Sequence, residues 1–154
     1  MLKISATFLD EISWDIPHQN WTAAKWDQDF AAMKKAGINT VVMIRSGLAR
    51  WTAWPCRYLH EQCGTAMPET DLLDLFLTLA EKYEMRFFLG LYHSRYYSSN
   101  NQWDKEIELN MGVAKEAWER YGHRKAFQGW YLCHEISVNS GNIIGLYSSL
   151  GKYC

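Results

Sequence analysis

The chain has 154 residues, of which 48% are hydrophobic and 21% charged, and its formal net charge is -1 at pH 7. This balance is typical of a globular domain and excludes a disordered tail or a membrane-spanning segment. The chain also lacks any run of Lys or Arg that would attract nucleic acid or anionic lipid, so neither is predicted as a partner.

The amino terminus begins a strand-like pattern at once, MLKISATFL, and lacks the charged segment, long apolar stretch and cleavage site of a secretion signal. The chain as written is therefore expected in the cytoplasm. Its cysteines form neither a CxxC pair nor a zinc-finger spacing, so unpaired thiols are expected. They are Cys56, Cys63, Cys133 and Cys154.

A strand followed by a helix is predicted at the start of the chain. Ile4 to Leu9 is a short apolar and β-branched run that ends at Asp10 and Glu11. Such a strand delivers carboxylates into the loop that follows it. Thr22 is a suitable N-cap for the next helix, and Gly37 is expected to end that helix.

The pattern repeats in a second unit. Thr40 to Ile44 is a continuous β-branched run, typical of a strand that is buried on both faces of a parallel sheet, and Arg45 follows it. A long loop contains Trp51 and Trp54. The segment DLLDLFLTLAEKYE after Thr70 then has the apolar stripe of a helix.

Two further units complete the chain. Phe87 to Tyr92 is the third predicted strand, and the helix after it is expected to end at Gly122. Gly129 to Cys133 is the fourth strand and leads to His134 and Glu135. The segment NSGNIIGLYSSLGKY can form a fourth helix, which its glycines weaken.

Strict alternation of strands and helices predicts an α/β fold with parallel strands and right-handed crossovers. A doubly wound sheet and part of a barrel both satisfy this order. The barrel is preferred because the turns carry neither a GxGxxG nor a GxxxxGK[ST] phosphate-binding pattern. A complete (β/α)8 barrel needs roughly 250 residues. We therefore predict a partial TIM barrel of four βα units, a half barrel, as one domain over residues 1–154.

Polar residues stand at the end of every predicted strand, where parallel barrels place their active sites. We expect the carboxyl ends of the four strands to bring these residues to one rim, although strand-end polar groups also cap helices and pair with each other. They are Asp10 and Glu11, Arg45, Tyr92 and His93, and His134 and Glu135.

Glu135 is the predicted catalytic residue, a general acid/base. Side chains alternate across a strand, so Tyr131, Cys133 and Glu135 share one face, which we expect to line the barrel, while His134 faces the helices. A carboxyl group in a cleft walled by aromatic rings can donate a proton near neutral pH. Glycoside hydrolysis needs a second carboxyl group. Asp10 or Glu11 offers one in principle, since at most one of these neighbours faces the cleft, although a role as loop charges or helix-cap acceptors is favoured.

Aromatic residues follow several strand ends, on the rim where a substrate would enter. Flat rings offer an apolar face to the C–H face of a sugar ring and leave its hydroxyl groups free for hydrogen bonds. An oligo- or polysaccharide is therefore the predicted partner, although packing against its own helix is expected for Trp21. The rim aromatics are Trp14, Trp21, Trp51, Trp54, Tyr96 and Tyr97.

Four segments carry a resemblance to a known family: FLDEISWDIPHQNW, WDQDFAAMKKAGINTVVMIRSG, DLLDLFLTLAEKYEMRFFLGLY and GWYLCHEIS. They resemble a bacterial glycoside-hydrolase-like TIM-barrel family, catalogued as a domain of unknown function and distantly similar to clan A glycosidases. The resemblance runs over essentially the whole chain. Members of the family usually contain both halves of the barrel and are often exported, which implies that this chain matches the amino-terminal half only.

The resemblance also implies residue roles. In clan A the acid/base glutamate ends the fourth strand, an arginine often ends the second and a histidine often follows the third; Glu135, Arg45 and His93 match. His134 replaces the asparagine that precedes this glutamate in the clan. The clan's nucleophile comes from a seventh strand outside this chain. A truncated form is thus implied, with little turnover as an isolated half barrel, or with self-association through the open inner face and edges.

Two other functions stay open. One is a metal-dependent barrel hydrolase or isomerase, in which His18, His93 and His134 converge on a divalent ion with Asp10 or Glu135. The other is a carbohydrate-binding protein that uses the aromatic rim without chemistry. The preferred hypothesis, a glycosidase-like domain, requires neither a metal nor a cofactor.

Overall fold

The computed structural model describes residues 4–13, 20–135 and 141–154. Seven strands and six helices lie within these residues. In chain order they are β1 Ala6–Leu9, α1 Ala23–Lys35, β2 Thr40–Met43, β3 Gly47–Leu48, β4 Trp51–Thr52, α2 Arg57–Cys63, α3 Leu72–Lys82, β5 Arg86–Gly90, β6 Tyr92–His93, α4 Tyr96–Ser99, α5 Trp103–Tyr121, β7 Phe127–Tyr131 and α6 Ile143–Tyr153.

The main sheet has four parallel strands in the order β1-β2-β5-β7. Spatial order equals chain order, and the helices between consecutive strands return the chain to the same edge of the sheet. This is the connectivity of successive βα units in a barrel. The predicted α/β fold of four parallel βα units, a half barrel, is confirmed.

The helices begin and end close to where the capping residues predict. Thr22 is the N-cap of α1 and accepts a hydrogen bond from the Lys25 amide, while Gly122 follows the last turn of α5. The helix predicted to start at Asp71 begins one residue later, at Leu72, because Asp71 is its N-cap and accepts a hydrogen bond from the Asp74 amide. No helix in the described part of the chain is long and apolar enough to cross a membrane.

The two faces of the main sheet differ in burial. Val41 on β2 and Phe87 on β5 are fully buried in the main hydrophobic core, which the helices cover. The opposite face carries a row in register across three strands, Phe8, Val42 and Phe88. Phe8 is 53% exposed, and its ring lies 5.2 Å from that of Tyr131 on β7. The inner face is therefore apolar and only partly covered by the described residues.

A small second sheet, in the order β4-β3-β6, was not predicted. Its strands have two residues each, which is too short for any periodicity to reveal. It folds the long loop after β2 back onto the body of the domain and carries Trp54 into the core, where that side chain is 0% exposed. The prediction that Trp54 belongs to the substrate-binding rim is therefore wrong: its ring packs edge-on against Tyr121 of α5, 5.9 Å away.

Candidate functional site

Arg45 joins three strand ends at the carboxyl edge of the main sheet. It follows β2, and its side chain is only 12% exposed. One terminal nitrogen donates to Ser13 Oγ at 3.0 Å, in the loop after β1, and the other to Glu135 Oε1 at 3.2 Å, beyond β7. The predicted convergence of Arg45 and Glu135 is present. These residues, with Asp10, form what we call the rim cluster.

Asp10 anchors the rim cluster from below. Its carboxylate accepts hydrogen bonds from the amides of Ile12 and Ser13, at 3.2 and 3.1 Å, and from Ser13 Oγ at 2.6 Å. These bonds form a turn directly after β1, a common use of an Asp side chain. Arg45 lies 3.9 Å from the same carboxylate. Asp10 thus fixes the loop that holds Arg45, the structural role that the sequence favoured.

Glu135 is the most accessible member of the rim cluster. Strand β7 ends at Tyr131, so three residues separate the end of the sheet from Glu135. Its side chain is 87% exposed while its carboxylate contacts Arg45. The sequence predicted a cleft walled by aromatic rings around this carboxyl group. That expectation is wrong for the described residues, because the extension beyond β7 lifts the group into solvent.

Beneath Glu135 lies a buried group of polar side chains that we call the Glu106 network. Glu106 of α5 is 0% exposed. It accepts a 2.8 Å hydrogen bond from His134 Nε2, a 2.9 Å bond from the Ser94 amide and another from Ser94 Oγ. Asn110, one turn further along α5, donates to the Glu106 carbonyl and accepts from the Tyr92 amide. The network therefore connects α5 with β6, with Ser94 after it, and with the segment beyond β7.

Burial acts against the charge of Glu106, but its hydrogen bonds outweigh that effect. Desolvation alone would raise the pKa of Glu106, whereas the bonds from His134 and Ser94 together hold its pKa below the ordinary value. Glu106 is therefore an ionised, acceptor-only carboxylate in the folded protein. Because a carboxylate can only accept, His134 donates to it through Nε2.

The structure corrects two predicted substrate contacts. His134 has a side chain only 2% exposed, turned to α5, so it cannot meet a ligand on the rim. Tyr92 is 2% exposed, and its hydroxyl donates to the Ala49 carbonyl at 2.6 Å. Burial raises the pKa of the Tyr92 phenol well above its ordinary value. Both side chains point into the protein because β6 and the end of β7 pack against α5.

His93 lies between the network and the surface. Its ring is 4.8 Å from the ring of His134, and its Nε2 is 3.0 Å from Ser98 Oγ. Burial, followed by the nearby charge of His134, lowers the pKa of His93 to about 4. With this lowered pKa, His93 is neutral at physiological pH. Its side chain is half-buried and therefore still within reach of solvent.

Only some of the aromatic residues predicted for the rim have exposed side chains. Trp51 is 51% exposed with the Arg50 guanidinium 4.8 Å from its ring centre, and Tyr96 is 65% exposed with its ring edge-on to Tyr97. These remain available to a ligand. Trp21 packs against Trp26 of α1, as its position predicted. Trp14 lies outside the described residues.

Among the described residues, some of the predicted metal ligands lie together and others do not. His93 and His134 do come together, but the third group beside them is Glu106, and one donor atom from each lies within 4.8 Å of the others. Asp10 and Glu135 bind Arg45 instead. His18 lies outside the described residues.

Sequence reasoning missed Glu106 because it lies inside a helix rather than at a strand end. The apolar period in the sequence of this helix predicts a buried stripe through Ile107, Met111, Ala114, Trp118 and Tyr121. Ala114 and Tyr121 are buried, but Trp118 is 57% exposed. The buried stripe is rotated by about one residue. Its members are Glu106, Leu109, Asn110, Val113, Ala114, Ala117 and Tyr121. Two polar residues on a buried stripe were the signal that could have revealed the network.

Parallel βα units with charged side chains gathered at the carboxyl ends of the strands define a half barrel with its candidate site on the usual barrel face. The chain belongs to the family described as Domain of unknown function (DUF4434), whose model matches residues 4–148.

A solved structure from Bacteroides thetaiotaomicron, described as a putative alpha-L-fucosidase, is similar to this chain with 49% sequence identity and a TM-score of 0.92. The match covers 99% of this chain and 48% of the other, so the chain spans about half the length of that protein. No curated protein matches the chain.

Proposed function

We propose that the rim cluster is a glycoside-hydrolase-like site that binds carbohydrate, with Glu135 as its acid/base carboxyl group. The observation that carries the proposal is the contact between Arg45 and Glu135 across β2 and β7, on the barrel face that binds substrates. The similarity to a protein described as a putative alpha-L-fucosidase supports an L-fucoside as the first sugar to test. The distant relation to clan A glycosidases belongs to the same proposal.

Arg45 and Glu135 have distinct roles in this proposal. The Arg45 guanidinium contacts one Glu135 oxygen, and the exposed carboxylate can also accept hydrogen bonds from sugar hydroxyl groups. Proton donation requires that a bound sugar cover Glu135 and remove water from it. The exposed rings of Trp51 and Tyr96 offer apolar faces for a sugar ring.

Hydrolysis needs a second carboxyl group on the other side of the scissile bond. Asp10 suits this role poorly, because three hydrogen bonds fix its carboxylate in the loop after β1. We propose that the second carboxyl group comes from strands five to eight of a complete barrel. The chain alone should then bind sugar and turn it over little or not at all.

Binding is tested by titrating the chain with methyl α-L-fucoside and a panel of other methyl glycosides, followed by calorimetry. Arg45→Ala should weaken binding at least tenfold, since the residue orients the rim from below. Glu84→Gln is the control for loss of an ion pair elsewhere on the surface: Glu84 is 88% exposed, lies 3.6 Å from Lys34 and precedes β5 at the opposite edge of the sheet. No binding by any sugar, or equal losses in both variants, would reject the proposal.

A carbohydrate-binding role without chemistry is the second candidate. The exposure of Glu135 favours it, because a hydrated carboxylate binds hydroxyl groups readily and donates protons poorly. Release of 4-nitrophenol from 4-nitrophenyl glycosides distinguishes the two. Turnover that Glu135→Gln abolishes supports the hydrolase, whereas binding that survives Glu135→Gln with no turnover in the unaltered chain supports the second candidate.

A further inference from the structure

We propose that two arginines, Arg50 and Arg95, bind the anionic group of a sulfated or carboxylated sugar and make the site selective for charged carbohydrate. This inference rests on the proposed carbohydrate-binding function and names the class of sugar. Both arginines are exposed, and each is followed directly by an exposed aromatic ring, Trp51 at 51% and Tyr96 at 65%. We call these four residues the arginine–aromatic pairs.

The small sheet brings the two pairs to one end of the same two strands. Strands β3 and β6 run parallel, and Leu48 lies opposite His93 in their register. Arg50 and Arg95 each stand two residues after these partners. The Ala49 amide donates to the His93 carbonyl at 2.9 Å and extends the pairing toward the two arginines. Both arginines therefore lie at the carboxyl ends of neighbouring strands.

The arginine–aromatic pairs continue the rim cluster. Strand β3 begins at Gly47, two residues after Arg45, and β6 begins at Tyr92, two residues after the end of β5. The small sheet thus extends the carboxyl edge of the main sheet, where substrates bind in parallel barrels. A sugar at the rim cluster can place a substituent on the small sheet.

Neither Arg50 nor Arg95 forms an ion pair within the part of the chain that the structure describes; the Arg50 guanidinium lies over the Trp51 ring. The carboxylates of Asp10 and Glu135 at the same edge contact a different arginine. An unpaired guanidinium keeps its planar set of donors available, and this set matches the oxygens of a sulfate or a carboxylate. The arginines that do form ion pairs are Arg45, Arg120 and Arg124.

The backbone beside both arginines adopts conformations that are uncommon for residues with a side chain. Ala49, directly before Arg50, has a φ of 52°, and Arg95 itself has a φ of 61° and a ψ of -44°. Such conformations persist only where the surrounding contacts impose them, and they are frequent at binding sites. Beside Arg95 the contacts come from Ser94, whose amide and hydroxyl group both donate to buried Glu106. The Glu106 network thus holds the backbone that carries Arg95.

An anionic sugar matches both members of each pair. The guanidinium binds the charged oxygens, and the neighbouring ring offers an apolar face to the C–H face of the sugar. A neutral sugar would use the rings alone. Single-stranded nucleic acid also combines charge with stacking, but the net charge of -1 and the absence of any run of Lys or Arg disfavour it.

The test compares charged sugars with their neutral counterparts by calorimetry at low salt. The first set is methyl α-L-fucoside and its sulfate monoesters, and the second is methyl β-D-glucoside and methyl β-D-glucuronide, which distinguishes a carboxylate from a sulfate. We expect at least one charged sugar to bind at least tenfold more tightly than its neutral counterpart. Added NaCl should reduce this preference, because salt screens exposed charges.

Three variants assign the preference to the two arginines. Arg50→Gln and Arg95→Gln should each reduce it about threefold, and the double variant should remove it while binding the neutral sugar within about twofold of the unaltered chain. Lys125→Gln is the control for loss of one positive charge: Lys125 is exposed and lies two residues before β7, at the opposite edge of the sheet, so this variant should keep the preference. Far-UV circular dichroism checks that all variants fold.

Several results would overturn the inference. They are equal affinities for charged and neutral sugars, a preference that persists in the double variant or disappears in Lys125→Gln, and tighter binding of a single-stranded oligonucleotide than of any charged sugar. Equal affinities for charged and neutral sugars would leave the proposed function standing. Failure of every sugar to bind would reject both.

Discussion

The rim cluster and the Glu106 network meet at two adjacent residues, Glu135 and His134, yet they place similar chemical groups in opposite environments. In the rim cluster a carboxylate that is 87% exposed contacts a guanidinium. In the network a carboxylate that is 0% exposed contacts an imidazole and a serine. Removing a partner from a buried charge is costly, whereas an exposed ion pair contributes little.

Because of this difference, we expect the Glu106 network to determine stability and the rim cluster to determine ligand binding. The network can hold the strand ends in place only because each of its hydrogen bonds replaces one lost to water. The rim cluster remains hydrated and can exchange its water for the hydroxyl groups of a ligand. Substitutions in the two regions should therefore change different measurements.

The largest contrast is expected between Glu106→Ala and Glu135→Ala. The first leaves His134 Nε2 and both Ser94 donors without their partner and should lower the free energy of unfolding by about 4 kcal/mol. The second removes a solvated side chain and should change it by less than about 0.5 kcal/mol. Urea denaturation measures both. Equal losses would show that the two carboxylates are not energetically different.

Trp54 and Trp51 extend the contrast to aromatic residues of one loop. Trp54 is 0% exposed, so Trp54→Ala should cost about 3 kcal/mol of stability by leaving a cavity beside Tyr121. Trp51 is 51% exposed, and Trp51→Ala should cost less than about 1 kcal/mol. Thermal unfolding compares the two. A larger Tm loss for Trp51→Ala than for Trp54→Ala would contradict the placement of Trp54 in the core and of Trp51 at the surface.

The inner face of the sheet gives a third contrast. Phe8 is 53% exposed on that face, and self-association that buries it would be favoured by about 2 kcal/mol for one ring. Phe8→Lys should therefore weaken self-association at least tenfold in light scattering.

Ile144 on α6 is the matched control for this contrast. It is 79% exposed but lies on a helix, so Ile144→Lys should leave self-association unchanged. An unaltered chain that stays monomeric at high concentration would contradict the expected association.

The smallest expected effect concerns the link between the two regions. Tyr147 of α6 donates to the His134 carbonyl and so restrains the segment just before Glu135. Tyr147→Phe should cost about 1 kcal/mol of stability. It should also raise hydrogen exchange at the His134 and Glu135 amides relative to those of β2. Unchanged exchange there would mean that α6 does not position the rim.

The repeating βα units could be predicted because each has a local sequence pattern, such as the β-branched run of β2 and the N-cap residue Thr22. The position of Arg45 could be predicted as well, since parallel strands bring their carboxyl ends to one edge. The environment of Glu135 could not, because it depends on how far the chain runs beyond β7. The burial of Trp54 depends on two-residue strands that leave no periodic signal. Glu106 required the rotation of α5, which only tertiary packing determines.

Whether ligands bind the chain at the rim cluster can be measured by a two-dimensional amide NMR titration of ¹⁵N-labelled protein with methyl α-L-fucoside. We expect progressive shifts at the amides of Arg45 and Glu135 and at the exposed indole of Trp51, with the buried indole of Trp54 unchanged. Shifts clustered around Glu84 at the opposite edge of the sheet, or no shifts at saturating sugar, would contradict binding at the rim cluster.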